Sequence, residues 1–162
     1  MADRDEHSTI EDILGDAAPR ETSLQVCVAG DLAGQLDALL ASRAGVARTS
    51  LAGEGIGELE TEIAAVRARM AERTHTFTFR ALTGKAWSDL LAAHPSPTKD
   101  RVFDVETFPA ALVSACCRAP EMDLDQTTRL FDSLNEGGRQ ALFEAAWGVN
   151  TGAVPVPLSA SI

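Results

Sequence analysis

Tyrosine is absent from this chain of 162 residues, and tryptophan and phenylalanine together supply only eight side chains. A packed core is still expected, because the 45% hydrophobic content is normal for a globular protein. That core must rest on Leu, Val, Ala and the six Phe. Cysteine is scarce too. Cys27, Cys116 and Cys117 are odd in number and two of them are adjacent, so neither a disulfide framework nor a C-x-x-C metal site follows. Free thiols point to a reducing cytosol. Histidine is limited to His7, His75 and His94, which fall on three different predicted elements, so no convergent metal site is expected.

Clustered positive charge is also missing. The formal net charge is −10 and the pI is about 4.6. Such a surface repels phosphate, which argues against nucleic-acid binding. It suits a basic partner, a partner that must be kept soluble, or simple solubility. No apolar run reaches the length of a membrane span. The N-terminus carries Asp3, Asp5, Glu6, Glu11 and Asp12 without an apolar stretch, and reads as lacking a signal peptide.

Catalytic vocabulary is equally thin. There is no G-x-S-x-G and no papain-type cysteine signature. Ser114 lies two residues before Cys116 on a predicted helix, which is not a triad geometry. Gly53-Glu-Gly-Ile-Gly57 lacks the preceding strand and the Lys-Ser/Thr ending of a phosphate loop, and reads as a hairpin loop. Asp123 and Asp125 form no calcium loop; helix capping accounts for them. No cofactor is expected, and the chain reads as a non-enzyme.

What is present is a succession of amphipathic elements. Residues 1–22 read as an acidic disordered arm, in which Ile10, Ile13 and Leu14 are spaced to make one turn of an amphipathic helix and a docking patch. Leu24–Ala29 alternates as a strand. Asp31 is a good N-cap for a helix to about Ser42, with Leu32, Leu36, Leu39 and Leu40 on one stripe. Gly45–Gly57 reads as a flexible connection. A second helix from about Glu58 to Arg73 stripes Leu59, Ile63, Val66 and Met70. Its acids come early and its arginines late, as the helix dipole favours. Two single-striped helices on a short loop predict an αα-hairpin. Its out-and-back path would let His75–Arg80 pair antiparallel with Leu24–Ala29, with Phe77 and Phe79 on one face of the ribbon and Thr76 and Thr78 on the other.

The remainder predicts a bundle of about four short helices. Thr83 can cap the first, which carries Trp87, Leu90 and Leu91 and is stopped by Pro95, with His94 placed to meet terminal carbonyls. Thr107 can cap the second, with Pro109 in its first turn and Phe108, Leu112 and Cys116 on one face. Pro120 should end that helix. Asp123 and Gln126 have the capping-box spacing for the third. Leu142, Phe143, Ala146 and Trp147 mark the fourth, which is expected to fray near Gly148. Residues 151–162 read as a flexible tail. The fold class is therefore mainly α with a small β element, arranged as an arm (1–22), a strand–hairpin–strand unit (23–80), a helical domain (81–150) and a tail. Leu36, Leu40, Ile63, Met70, Trp87 and Trp147 are the candidate partner-binding residues, since hairpin stripes and helical tryptophans serve either as core or as interface anchors.

One stretch carries a resemblance. Phe77-x-Phe79-x-x-Leu82, Trp87-x-x-Leu90 with His94-Pro95, Phe108-Pro-Ala-Ala-Leu-Val-x-x-Cys116 and the closing Ala145-Ala-x-x-x-Asn150 resemble the tail assembly chaperones of long-tailed (siphovirus-type) bacteriophages of actinobacteria. The resemblance covers nearly half of the chain and rests on structural residues. Before Thr74 only the layout agrees, and neither Cys117 nor the long glycine-rich loop belongs to the pattern. The resemblance implies a protein of the host cytoplasm that coats the tape measure protein, helps recruit tail-tube subunits and leaves before the virion is complete. It also implies a homo-oligomer and, in many such phages, a frameshifted longer form of the same protein. Two other classes stay open: an acidic helical adaptor or inhibitor of a basic protein, and an enzyme with an unrecognised site.

Overall fold

The computed structural model describes residues 8–49, 53 and 55–155. The expectations for residues 1–7 and 156–162 therefore lie outside the described residues. Among those described there are seven helices and one three-stranded antiparallel sheet, a mainly α protein with a small β element as the sequence predicts. The elements run α1 (Ile10–Asp16), β1 (Glu21–Cys27), α2 (Gly30–Thr49), α3 (Ile56–Glu72), β2 (Thr74–Arg80), α4 (Gly84–Ala93), α5 (Phe108–Cys116), β3 (Cys117–Ala119), α6 (Leu124–Ser133) and α7 (Glu136–Thr151).

The expected pairing of the first two strands is present. β1 and β2 are antiparallel, with Leu24 opposite Phe77 and Cys27 opposite Thr74. The ladder continues beyond the strands through Val28 N–H donating to the Arg73 carbonyl at 3.0 Å. Phe77 and Phe79 are buried on one face, while on the other the Ser23 and Thr78 hydroxyls meet at 3.1 Å.

Between the strands, α2 and α3 form the predicted hairpin. Arg73 reaches Asp31 at 3.2 Å near the base, and Arg43 reaches Glu60 at 2.9 Å further out. Both pairs are exposed and contribute little stability each. The apolar stripes hold the helices together: Leu32 and Ile63 are each 1% exposed and Val66 is buried. Asp31 lies in the first turn of α2 and is not its cap. α2 also runs seven residues past Ser42, through Gly45, so the start of the expected flexible connection is helical. A glycine inside a helix costs only about 1 kcal/mol, which packing along α3 can offset. Gly53 and Gly55 have φ of +67° and +85°, a backbone that favours glycine, and Gly55 leads into α3.

The main core lies between the sheet and the helices that follow it. Phe79, Phe108, Leu112, Val113, Cys116 and Leu142 are all fully buried there. α7 packs on β1, β2 and α5, and α5 also packs on α6. The small cluster of Ala29, Leu32 and Val66 at the root of the hairpin is separate from this core.

Four local expectations need correction. The segment Ile10–Asp16 is a helix, closed by a reciprocal capping box between Thr9 and Asp12, and β1 already begins at Glu21, inside the stretch read as a disordered arm. Cys117 is not on a helix with Cys116: α5 stops at Cys116 and Cys117–Ala119 adds a third strand against β2. Thr107 makes no side-chain cap, because its hydroxyl lies 2.9 Å from His94 Nδ1, which also removes His94 from the terminal-carbonyl role. α7 does not fray at Gly148 but continues to Thr151. The caps from Thr83 on α4 and from Asp123 and Gln126 on α6 are formed as expected.

Candidate protein-interaction surface

The two tryptophans stand together at 5.3 Å between ring centroids, Trp87 from α4 and Trp147 from α7. Phe103, Phe108 and Phe143 complete an aromatic cluster, with Phe103 and Phe108 only 4.4 Å apart. Five of the eight aromatic side chains are thus gathered in one place. Trp87 and Trp147 are half-buried and rest against the main core.

The hairpin candidates are likewise turned inward. Ile63 is a core residue of the α2–α3 contact. Leu36 and Met70 pack against the cluster at the hairpin root, and Leu40 is half-buried. The structure thus places the six sequence candidates in two separate groups, four on the hairpin and two on the bundle. None belongs to the well-exposed large apolar residues. Among the described residues those are Ile10, Ile13, Leu14, Val102, Val105, Leu124 and Val154.

Beside the aromatic cluster, the loop after α4 and helices α5, α6 and α7 enclose a groove of about 560 Å³. Phe103, Pro109, Phe131 and Phe143 supply its apolar walls, and Val105, 47% exposed, stands in it. Glu106, Glu136, Arg139 and Gln140 are its polar lining. One Arg139 guanidinium nitrogen holds Glu136 at 2.6 Å, while Nε is buried without a hydrogen-bond partner. A partner's acceptor would meet the outer guanidinium nitrogens, since the side chain is 41% exposed while Nε is not. An apolar trough with polar groups along its edge suits the apolar face of a peptide helix.

Sequence reasoning missed Phe103 and Arg139. Phe103 lies in an irregular segment, where no periodicity marks it as inward-facing. Arg139 follows two glycines in α7, and nothing in its neighbours signals that its Nε will be buried. The signal that was legible is Pro109 beside Phe108, which fixes the start of α5 and so one wall of the groove.

Polar side chains near the core are committed to structure. The Ser114 hydroxyl donates to the Met122 carbonyl at 3.0 Å, and Thr127 donates to the Asp123 carbonyl at 2.8 Å. Burial raises the pKa of both Cys116 and Cys117, so their thiols stay protonated and weakly nucleophilic. Among the described residues no group of three or more His, Cys, Asp or Glu could hold a metal ion. No helix there is long and apolar enough to cross a membrane.

Comparison of the chain with protein-family models, curated proteins and solved structures found no match.

Proposed function

We propose that this protein is a non-enzymatic tail assembly chaperone of a long-tailed bacteriophage, acting in the host cytoplasm on the tape measure protein. The observation that carries the reading is the aromatic groove with the partly exposed Arg139 guanidinium in its wall. It lies within the stretch whose residues carry the family resemblance. A tape measure protein is a long helix with apolar faces that aggregate when bare. The groove would take such a face, with a carbonyl or carboxylate of the partner on Arg139, while the net charge of −10 would keep the complex in solution. Many copies along one long helix would cover it, and the covered helix would then be presented to tail-tube subunits. A frameshifted longer form would extend the same unit.

The test is co-expression with the longest protein encoded among neighbouring tail genes, followed by size-exclusion light scattering. A soluble complex with several copies of this chain is expected. Val105→Asp should abolish it, because the substitution puts a charge in the groove at an exposed position where folding is not at stake. A complex that survives Val105→Asp, or a long protein that precipitates beside free chain, counts against the reading.

The second reading is an acidic adaptor or inhibitor of a basic protein. What favours it is the charge of residues 1–16, where six carboxylates face one arginine. Binding that collapses between low and high salt, yet ignores Val105→Asp, would select it.

A further inference from the structure

Helix α1 has no buried residue, yet Ile10, Ile13 and Leu14 share one face and are 62%, 54% and 62% exposed. Isolated helices shorter than roughly 12–15 residues are marginal in water. Seven residues held by one capping box therefore need a surface to lie on. Glu11 and Asp16 flank the apolar face, and the described residues 8–16 include no basic side chain.

A second groove, sharing no residue with the aromatic one, has the complementary character. It measures about 460 Å³, and its apolar lining includes Ala81, Leu82 and Ala86. Arg80 and Arg118 also line it, and no carboxylate does. Arg80 is held by Glu21 at 2.6 Å, whereas Arg118 makes no ion pair among the described residues. In a chain of net charge −10, an apolar groove bearing only arginines is a specific match for an apolar helix with carboxylate flanks.

The groove is also lined by Ala17, Ala18 and Pro19, the root of the α1 arm. That root decides whose arm fills it. Ala17 is extended at ψ 124°, and Ala18 precedes a proline, which disfavours helical backbone there. The Arg20 carbonyl is fixed by Ala81 N–H at 2.8 Å. The arm thus leaves the body along an extended line, and α1 lies off its own groove, lining none of it and burying no residue.

We propose that α1 docks in the Ala81–Arg118 groove of a second copy of this chain, and that the exchange is reciprocal. Because each arm is rooted at the edge of its own groove, two copies facing each other across a two-fold axis bring both arms to both grooves at once. The product is a closed dimer, since a two-fold interface leaves no arm or groove unfilled for further growth. This pairing stands apart from the tail-assembly reading and can fail or hold independently of it.

The experiment uses the full chain in size-exclusion light scattering over a concentration series. A species of twice the 17.1 kDa chain mass is expected. Ile13→Asp, on a helix that buries nothing, should weaken pairing by at least about a hundredfold, since symmetry counts each substitution twice. Arg118→Glu should weaken it too, and Glu11→Lys added to Arg118→Glu should restore part of the loss. Val102→Asp, also at an exposed apolar position but outside the groove, should change nothing. To establish exchange, a Leu14→Cys chain and an Ala86→Cys chain, each also carrying Cys27→Ser, are mixed and oxidised; a disulfide between the two chains is expected. A chain that stays monomeric, a dimer indifferent to Ile13→Asp, or a Leu14→Cys/Ala86→Cys double variant that closes only within one chain would each overturn the proposal.

Discussion

The Asn150 side-chain carbonyl accepts the Leu82 backbone N–H at 2.8 Å, across 68 residues of chain. Leu82 has just left β2, and Asn150 is in the last turn of α7. The same amide donates to the Ala146 carbonyl at 2.8 Å and to Cys116 Sγ at 3.2 Å. One side chain thus ties the end of the sheet to the ends of α5 and α7.

Asn150→Ala should therefore destabilise the protein by about 1–3 kcal/mol, the cost of leaving a partly buried N–H unpaired. Asn150→Asp keeps an acceptor for Leu82 but sets a carboxylate against the Ala146 carbonyl, and should cost at least as much. Urea midpoints at constant slope are the check; an Asn150→Ala midpoint equal to that of the parent would mean the clamp carries no stability.

The hairpin should open by itself. Its root cluster shares no residue with the main core, so native-state hydrogen exchange should find α2 and α3 opening at lower free energy than β2 and α5. Ile63→Glu should unfold the hairpin while Phe77, Phe79 and the helices behind them stay protected. Leu36→Glu, at a half-buried site, should do the same less severely. Loss of all protection in Ile63→Glu would show that hairpin and core fold as one unit.

Thiol labelling should separate Cys27 from the other two. Cys27 is half-buried at the edge of the hairpin-root cluster, with a long contact to the Met70 carbonyl at 3.6 Å, whereas Cys116 and Cys117 are buried. One fast equivalent and two that react only on unfolding are expected at neutral pH. The raised pKa values of Cys116 and Cys117 mean that the folded state holds these protons more tightly than the unfolded chain. Their contribution is complete below the ordinary thiol pKa of about 8.5 and is lost as pH rises through the folded values. Stability should fall in that alkaline range, and substituting Ala at Cys116 should flatten the profile.

Acid should loosen α1. The Thr9 hydroxyl and backbone N–H bond to Asp12 and hold its carboxylate below the usual pKa. That stabilisation is present above the ordinary Asp value of about 3.9 and disappears as pH falls through the lowered one. The NMR shifts of residues 10–16 should move toward coil in that window, and Thr9→Val should move them there at neutral pH.

How legible all this was depended on whether an element carried its own periodicity. The hairpin, β1 and β2 could be read because their apolar spacing and the order of acids before arginines are local properties. The caps at Thr83 and Asp123 could be read for the same reason. Cys117–Ala119 could not, because three residues show no period and only the open edge of β2 makes them a strand. Thr107 has the right residue type for a cap, but His94, thirteen residues away, takes its hydroxyl. The aromatic groove was half legible: Pro109 marks a helix start and Phe143 announces itself by helical spacing, whereas Phe103 arrives from an irregular loop and Arg139 follows two glycines.

The chain leaves the β1–β2 ladder at Val28 and rejoins it at Arg73, where the two backbones are hydrogen-bonded. Everything between is an excursion with a sealed doorway. Residues can be added or removed there in matched helical turns, and the entropy of closing a loop grows only slowly with its length. At about 1.5 Å of rise per residue, the twenty residues of α2 extend about 30 Å. Reach is therefore a dimension that descendants of this sequence can lengthen or trim by whole turns, with the ladder and the helices behind it left untouched.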